Sequence, residues 1–106
     1  MDLPPIGVQH PAVKQVLHIQ HNTAPNRHRL FVAEGLWAHN MLLETGAPID
    51  TFLWCPEAIY ADEAHVRARQ VAERAERAYR ISVRTLEKIS ERDKPDGLVS
   101  LAALPR

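Results

Sequence analysis

At 106 residues with 45% apolar content, the chain suits one domain with a modest core. Its 13 Lys and Arg balance 13 Asp and Glu, its longest apolar runs are too short to span a membrane, and no signal-peptide pattern opens it. A lone cysteine, Cys55, excludes an internal disulfide and every multi-cysteine zinc site, and a cytoplasmic protein is expected.

In chain order, residues 1–9 contain Pro4, Pro5 and Gly7 and read as a flexible arm. Pro11 fits the first turn of a helix running from about His10 to Asn22, with Val13, Val16 and Leu17 in its apolar stripe and Lys14, His18 and His21 on another side. Asn22 to Asn26 is a turn-rich loop. Residues 29–33 then read as a strand, because Leu30, Phe31 and Val32 form the continuous apolar run of a strand covered on both faces.

Glu34 and Gly35 close that strand. Gly35 allows a sharp turn into a helix over residues 36–45, and Glu34 is expected to accept backbone N–H bonds near the turn. Gly46 stops the helix, and Ile49 to Cys55 is a second strand ended by Pro56. Residues 62–77 predict the longest helix, with Glu73 and Arg77 as a favourable pair four apart. Tyr79 to Val83 reads as a third strand, Arg84 to Arg92 as a short helix, and Asp96-Gly97 as a turn into a fourth strand over Leu98 to Ala102. Helices alternating with short strands imply right-handed crossovers, hence a three-layer α/β/α sandwich with a mostly parallel four-stranded sheet.

Charge is distributed in blocks. Residues 3–33 hold Lys14, Arg27 and Arg29 and no acid, residues 34–63 hold six acids and no Lys or Arg, and residues 64–92 turn basic again. Such blocks are either ordinary solvated faces or a basic face on a neutral protein that suits a polyanionic partner. His18, His21 and His28 are the candidate metal ligands. Without a cysteine pair or an HExxH pattern no metal site is expected of them, and nothing near Cys55 in sequence would activate it as a nucleophile.

The stretches His10-Pro-Ala-Val-Lys-Gln-Val-Leu17, Arg29-Leu-Phe-Val-Ala-Glu-Gly35, Gly46-Ala-Pro-Ile49 and Asp96-Gly-Leu-Val-Ser-Leu101 add a resemblance. In order and spacing they look like the N-terminal substrate-binding domain of the SpoU (TrmH-type) RNA ribose 2'-O-methyltransferases. The resemblance implies a fold similar to ribosomal proteins and kink-turn binders, with residues 10–103 recognising structured RNA, rRNA or tRNA. Residues 104–106 would begin the linker to a missing C-terminal methyltransferase domain. His10 departs from the family's asparagine, and Arg27 and Arg29 lie closer to Phe31 than the family's loop arginine, which leaves open which of them takes its role.

Catalysis and S-adenosylmethionine would belong to that missing domain, since the chain's four glycines are all taken by the arm, a turn or helix ends. The residues expected to meet RNA are Lys14, Arg27, His28 and Arg29 as phosphate contacts and Trp37 as a stacking platform. Glu34 and Gly35 are structural at the strand-to-helix turn. The alternative is an interaction module that pairs with a copy of itself, or docks on a catalytic partner, without touching RNA.

Overall fold

A computed structural model describes residues 1–104; Pro105 and Arg106, which hold most of the expected linker start, lie outside the described residues. The elements are α1 (Pro11–His21), β1 (Phe31–Glu34), α2 (Leu36–Thr45), β2 (Ile49–Trp54), a 3-10 turn (Pro56–Ala58), α3 (Asp62–Arg74), β3 (Arg77–Arg80), α4 (Val83–Ile89) and β4 (Leu98–Ala102).

Local chemistry sets the ends of α1. Pro11 occupies the first turn, and the extended His10 caps it, its Nδ1 accepting the Ala12 N–H at 3.0 Å. Asn22 ends the helix in the left-handed conformation, returning its N–H to the last carbonyls. The buried face of the helix is Ala12, Val13 and Val16.

The boundary between α3 and β3 lies earlier than expected. Residues 75–77 have helical propensity, yet Ala75 is extended and Glu76 donates its N–H to Ile49 O at 3.0 Å. The open edge of β2 supplies backbone partners there, and pairing outweighs propensity. The Glu73–Arg77 pair therefore does not form; Arg77 instead reaches Asp50 at 3.9 Å. Strand β3 ends at Arg80, two residues before Ser82, whose Oγ accepts the Thr85 N–H at 3.2 Å and starts α4.

The sheet order is β1-β4-β2-β3, with β2 and β3 parallel and β4 antiparallel to both β1 and β2. The expected mostly parallel sheet is thus a mixed one. The cause is the length of α4: seven residues span about 10 Å, too little to carry the chain back along the sheet before the last strand starts. Residues 81–97 stay near the ends of β1 and β2, where Cys55 and Gly35 donate to the carbonyls of Gly97 and Leu98, both at 2.9 Å. From there β4 can only run backwards, and it fills the centre of the sheet.

Three layers result. Alternate residues of β2 and β4 face opposite sides: Leu53, Val99 and Leu101 pack with Ala12, Val13 and Val16 of α1 and Leu86 and Ile89 of α4. Phe52, Leu98 and Ala102 pack with Leu42 of α2 and Ala64, Ala68 and Val71 of α3. Both central strands are buried along almost their whole length, and a side chain such as Phe52, at 0% exposure, contributes about 1.5–3 kcal/mol by leaving water. Within the N-terminal arm, Pro4 to Ile6 lie beside the outer edge of β3, with Arg80 N donating to Pro4 O and Ile6 N to Arg80 O, each at 2.9 Å. Among the described residues no helix is long and apolar enough to cross a membrane.

Candidate functional site

The loop between α1 and β1 carries the basic residues and is built rather than slack. Asn26 clamps both backbone groups of Leu30: its Nδ2 donates to Leu30 O at 2.7 Å and its Oδ1 accepts Leu30 N–H at 2.9 Å. Arg29 N closes on Asn26 O at 3.2 Å, and Arg29 itself is left-handed with φ 52°, a conformation that disfavours residues with a Cβ. These bonds fold residues 26–30 into a tight turn whose tip presents Arg27 and His28 to solvent. The sequence marks Asn26 only as the end of a turn-rich loop, although an asparagine at a turn is the type that bonds its own backbone a few residues on.

Against this turn, α1 forms the other wall of an open cleft of about 460 Å³. Lys14, Gln15 and His18 line it from the helix, and Ala24, Pro25, Arg27 and His28 from the loop. No acid lines this cleft, and neither Lys14, Arg27 nor Arg29 has an ion-pair partner among the described residues. A second, wider cleft lies on the far side of His28, where Leu30, Pro48, Asp50, Arg74, Arg77 and Leu104 line it. The structure thus brings Lys14, Arg27 and His28 together. Arg29 lines neither cleft, and Trp37 stands beyond β1, about 13 Å of strand away from the loop.

The basic residues of α3, β3 and the α4–β4 loop are differently employed. Arg74 donates to Leu43 O and Ala47 O, both at 3.1 Å, tying down the C-terminal end of α2. Arg67 donates to Asn40 Oδ1 at 3.0 Å, and Arg80 pairs with Glu57 at 3.1 Å. The Glu57 carboxyl is held below the usual range first by its own backbone N–H and then by Arg80. Arg92 lies 3.5 Å from Asp96. Much of the second basic block is therefore structural.

Glu34 and Gly35 anchor the fold. Glu34 accepts from Ser90 Oγ and from the Glu91 N–H, so the backbone donor it engages comes from the segment after α4 rather than from the turn beside it. Gly35 has φ 96°, and a Cβ there would collide with the Arg92 guanidinium. With no side chain at the helix cap, Asp96 caps α2 from a distance, its Oδ2 accepting Leu36 N–H at 2.9 Å. His39, buried one turn on, places Nδ1 2.7 Å from Gly35 O and Nε2 2.8 Å from Ser100 Oγ. Since a carbonyl only accepts, Nδ1 carries a proton; burial disfavours a second one on the ring, so Nε2 is the acceptor and Ser100 Oγ donates to it.

The remaining reactive groups are engaged in packing. Cys55 is buried, its thiol donating toward Glu57 at 3.7 Å, and burial first of all pushes the thiol pKa up. His18 bonds Thr23 Oγ1 at 2.8 Å, and among the described residues no group of three or more His, Cys, Asp or Glu is placed to hold a metal ion. Trp37 is 74% exposed, and Met41, one turn along α2, is 39% exposed.

A family model described as the MRM3-like substrate binding domain matches residues 10–100. Among solved structures, the chain is similar to an rRNA methyltransferase from Sinorhizobium meliloti, with TM-score 0.73 and 20% identity over 95% of this chain and 37% of that one. The AdoMet-bound rRNA methyltransferase from the same organism gives TM-score 0.72 and 20% identity over 95% and 36%. An RNA 2'-O ribose methyltransferase gives TM-score 0.65 and 24% identity over 96% and 37%. No curated protein matches the chain. The chain spans little more than a third of each of these structures, and at such identities the likeness establishes the fold.

Proposed function

The chain belongs to the MRM3-like substrate-binding domain family, and from that premise we propose that it binds structured RNA on behalf of an RNA ribose 2'-O-methyltransferase. In this reading the substrate is rRNA or tRNA, the enzyme works in the cytoplasm, and a C-terminal catalytic domain of the same protein holds S-adenosylmethionine. The residues present here do not suit that cofactor. Three of the four glycines stand singly at element boundaries and the fourth in the N-terminal arm, so they make no glycine-rich loop that could wrap a nucleoside.

The observation that carries the reading is the acid-free cleft between α1 and the Asn26 turn, where Lys14 and Arg27 meet beside His28 with no carboxylate to neutralise the two charges. Unpaired cations around a concave surface on an otherwise neutral protein are what phosphate contacts require, and each contact releases counterions and makes binding salt-dependent. Arg29, exposed beside the cleft, adds a further phosphate contact, and Trp37 gives a separate stacking point at the other end of β1. The test is a fluorescence anisotropy titration of labelled rRNA and tRNA fragments. Binding that weakens with salt and falls on Lys14→Ala with Arg27→Ala supports the proposal; equal binding by wild type and variant contradicts it.

One observation favours a second reading, an interaction module that docks on a catalytic domain or pairs with itself: the exposed Trp37 and Met41 on successive turns of α2. Sedimentation of the isolated domain distinguishes self-pairing. A concentration-dependent dimer that Trp37→Ser abolishes would favour this module, and a monomer at all concentrations would remove its self-pairing form.

A further inference from the structure

We infer that the cleft takes one unstacked nucleotide from a loop or bulge, with its base inside and its phosphate at the Lys14 and Arg27 rim, rather than the backbone of a continuous helix. The inference rests on the RNA-binding reading and specifies what that site would hold. Its basis is the cleft's composition. Most of the accessible lining is apolar, supplied by residues such as Pro11, Ile19, Ala24 and Pro25, while the cations are few. An apolar concavity gains nothing from a phosphodiester chain, but it gains from the face of a base.

Size and shape agree. About 460 Å³ lies in the range of pockets that hold small-molecule ligands. The planes available to flank a base are the His18 and His28 rings. The His18 ring is fixed by its bond to Thr23 Oγ1, and its Nε2 has no hydrogen-bond partner among the described residues. Gln15 brings a side-chain amide, able both to donate to and to accept from a base edge. The Asn26 side chain is committed to Leu30 and shapes the wall without reading the base.

The test compares a hairpin RNA carrying a single-stranded loop with a fully paired duplex of equal length and charge, by anisotropy at one salt concentration. A second arm uses Ala24→Leu, which fills part of the cleft with an aliphatic side chain that offers no ring for a base to stack on and keeps every cation. Should the leucine lower the melting temperature, Ala24→Val replaces it.

The expected result is a preference for the hairpin of about tenfold or more in the wild type, and its loss in the filled variant, whose hairpin affinity falls to that for the duplex. Equal, salt-sensitive binding of both RNAs overturns this inference and leaves the RNA-binding reading standing. A preference that survives filling overturns the cleft as the place where the base sits. Absence of binding to either RNA removes the RNA-binding reading and this inference with it.

Discussion

His39 Nε2 lies 2.8 Å from Ser100 Oγ, a bond that ties the first turn of α2 to the central strand β4. Both residues are 0% exposed. Ser100→Ala leaves the ring nitrogen buried without a donor and is expected to cost about 1–3 kcal/mol, measured by urea denaturation. His39→Leu with Ser100→Ala is expected to cost less than the sum of the two single changes. Gly35 O keeps the His39 backbone N–H at 3.1 Å, so the paired change strands no acceptor.

Burial pushes the His39 imidazole below its ordinary range, outweighing the Gly35 carbonyl and the Asp96 charge that act the other way. The unfolded chain takes up this proton near pH 6.5, whereas the folded protein does so only at lower pH. Between those two values the unfolded state binds the extra proton, so this group's contribution is complete above about pH 6.5 and stability falls as pH drops below it. Melting temperature against pH should therefore decline from about pH 6.5 downward, and His39→Leu with Ser100→Ala should flatten that part of the curve. An identical decline in the double variant would assign the acid sensitivity to other groups.

Gly35→Ala is expected to destabilise by about 1–3 kcal/mol, chiefly because φ 96° is unfavourable for alanine; the Arg92 guanidinium that the new methyl meets is the end of a half-exposed side chain that can swing aside. Adding Arg92→Ala relieves the collision but not the backbone. The pair should recover little of the loss, and a chemical-denaturation cycle measures how much. Full recovery would mean that the dihedral angle contributes nothing.

Asn26→Ala should lower RNA affinity and cost only about 1 kcal/mol of stability, because it removes two hydrogen bonds to the Leu30 backbone in an exposed turn and leaves the core side chains in place. Anisotropy and thermal melting on the same sample check both halves. A large thermal loss would make Asn26 a fold residue rather than one that arranges the cleft.

Calorimetry on the 106-residue chain is expected to give no heat with S-adenosylmethionine, since its glycines sit at element ends or in the arm. Heat that saturates at one equivalent would place a cofactor site in this domain and overturn the division of labour proposed for it.

The punctuated parts of the fold could be read from sequence, and the parts decided by tertiary pairing could not. Pro11, Gly46 and the Asp96-Gly97 turn mark the edges of α1, α2 and β4, and those edges lie within a residue of expectation. The α3–β3 boundary carries no such mark. An Arg, Glu and Ala run favours helix, and only the edge of β2 beside it makes the strand. The direction of β4 depends on which end of the sheet the chain occupies at Gly97, a consequence of how short α4 is, and no local pattern encodes it. At the site, Lys14, Arg27 and Arg29 are visible as an acid-free flank. That Lys14 and Arg27 share a cleft while Arg29 does not follows from how α1 packs beside β1 and how Asn26 folds the turn.

The most direct test is the salt dependence of RNA affinity in the wild type and in Lys14→Ala with Arg27→Ala. If these two cations contact phosphate at the cleft, the slope of log affinity against log salt should become shallower by roughly 1.4–1.8 in the double variant. An unchanged slope, with RNA still bound, would place the phosphate contacts elsewhere on the protein and contradict the account.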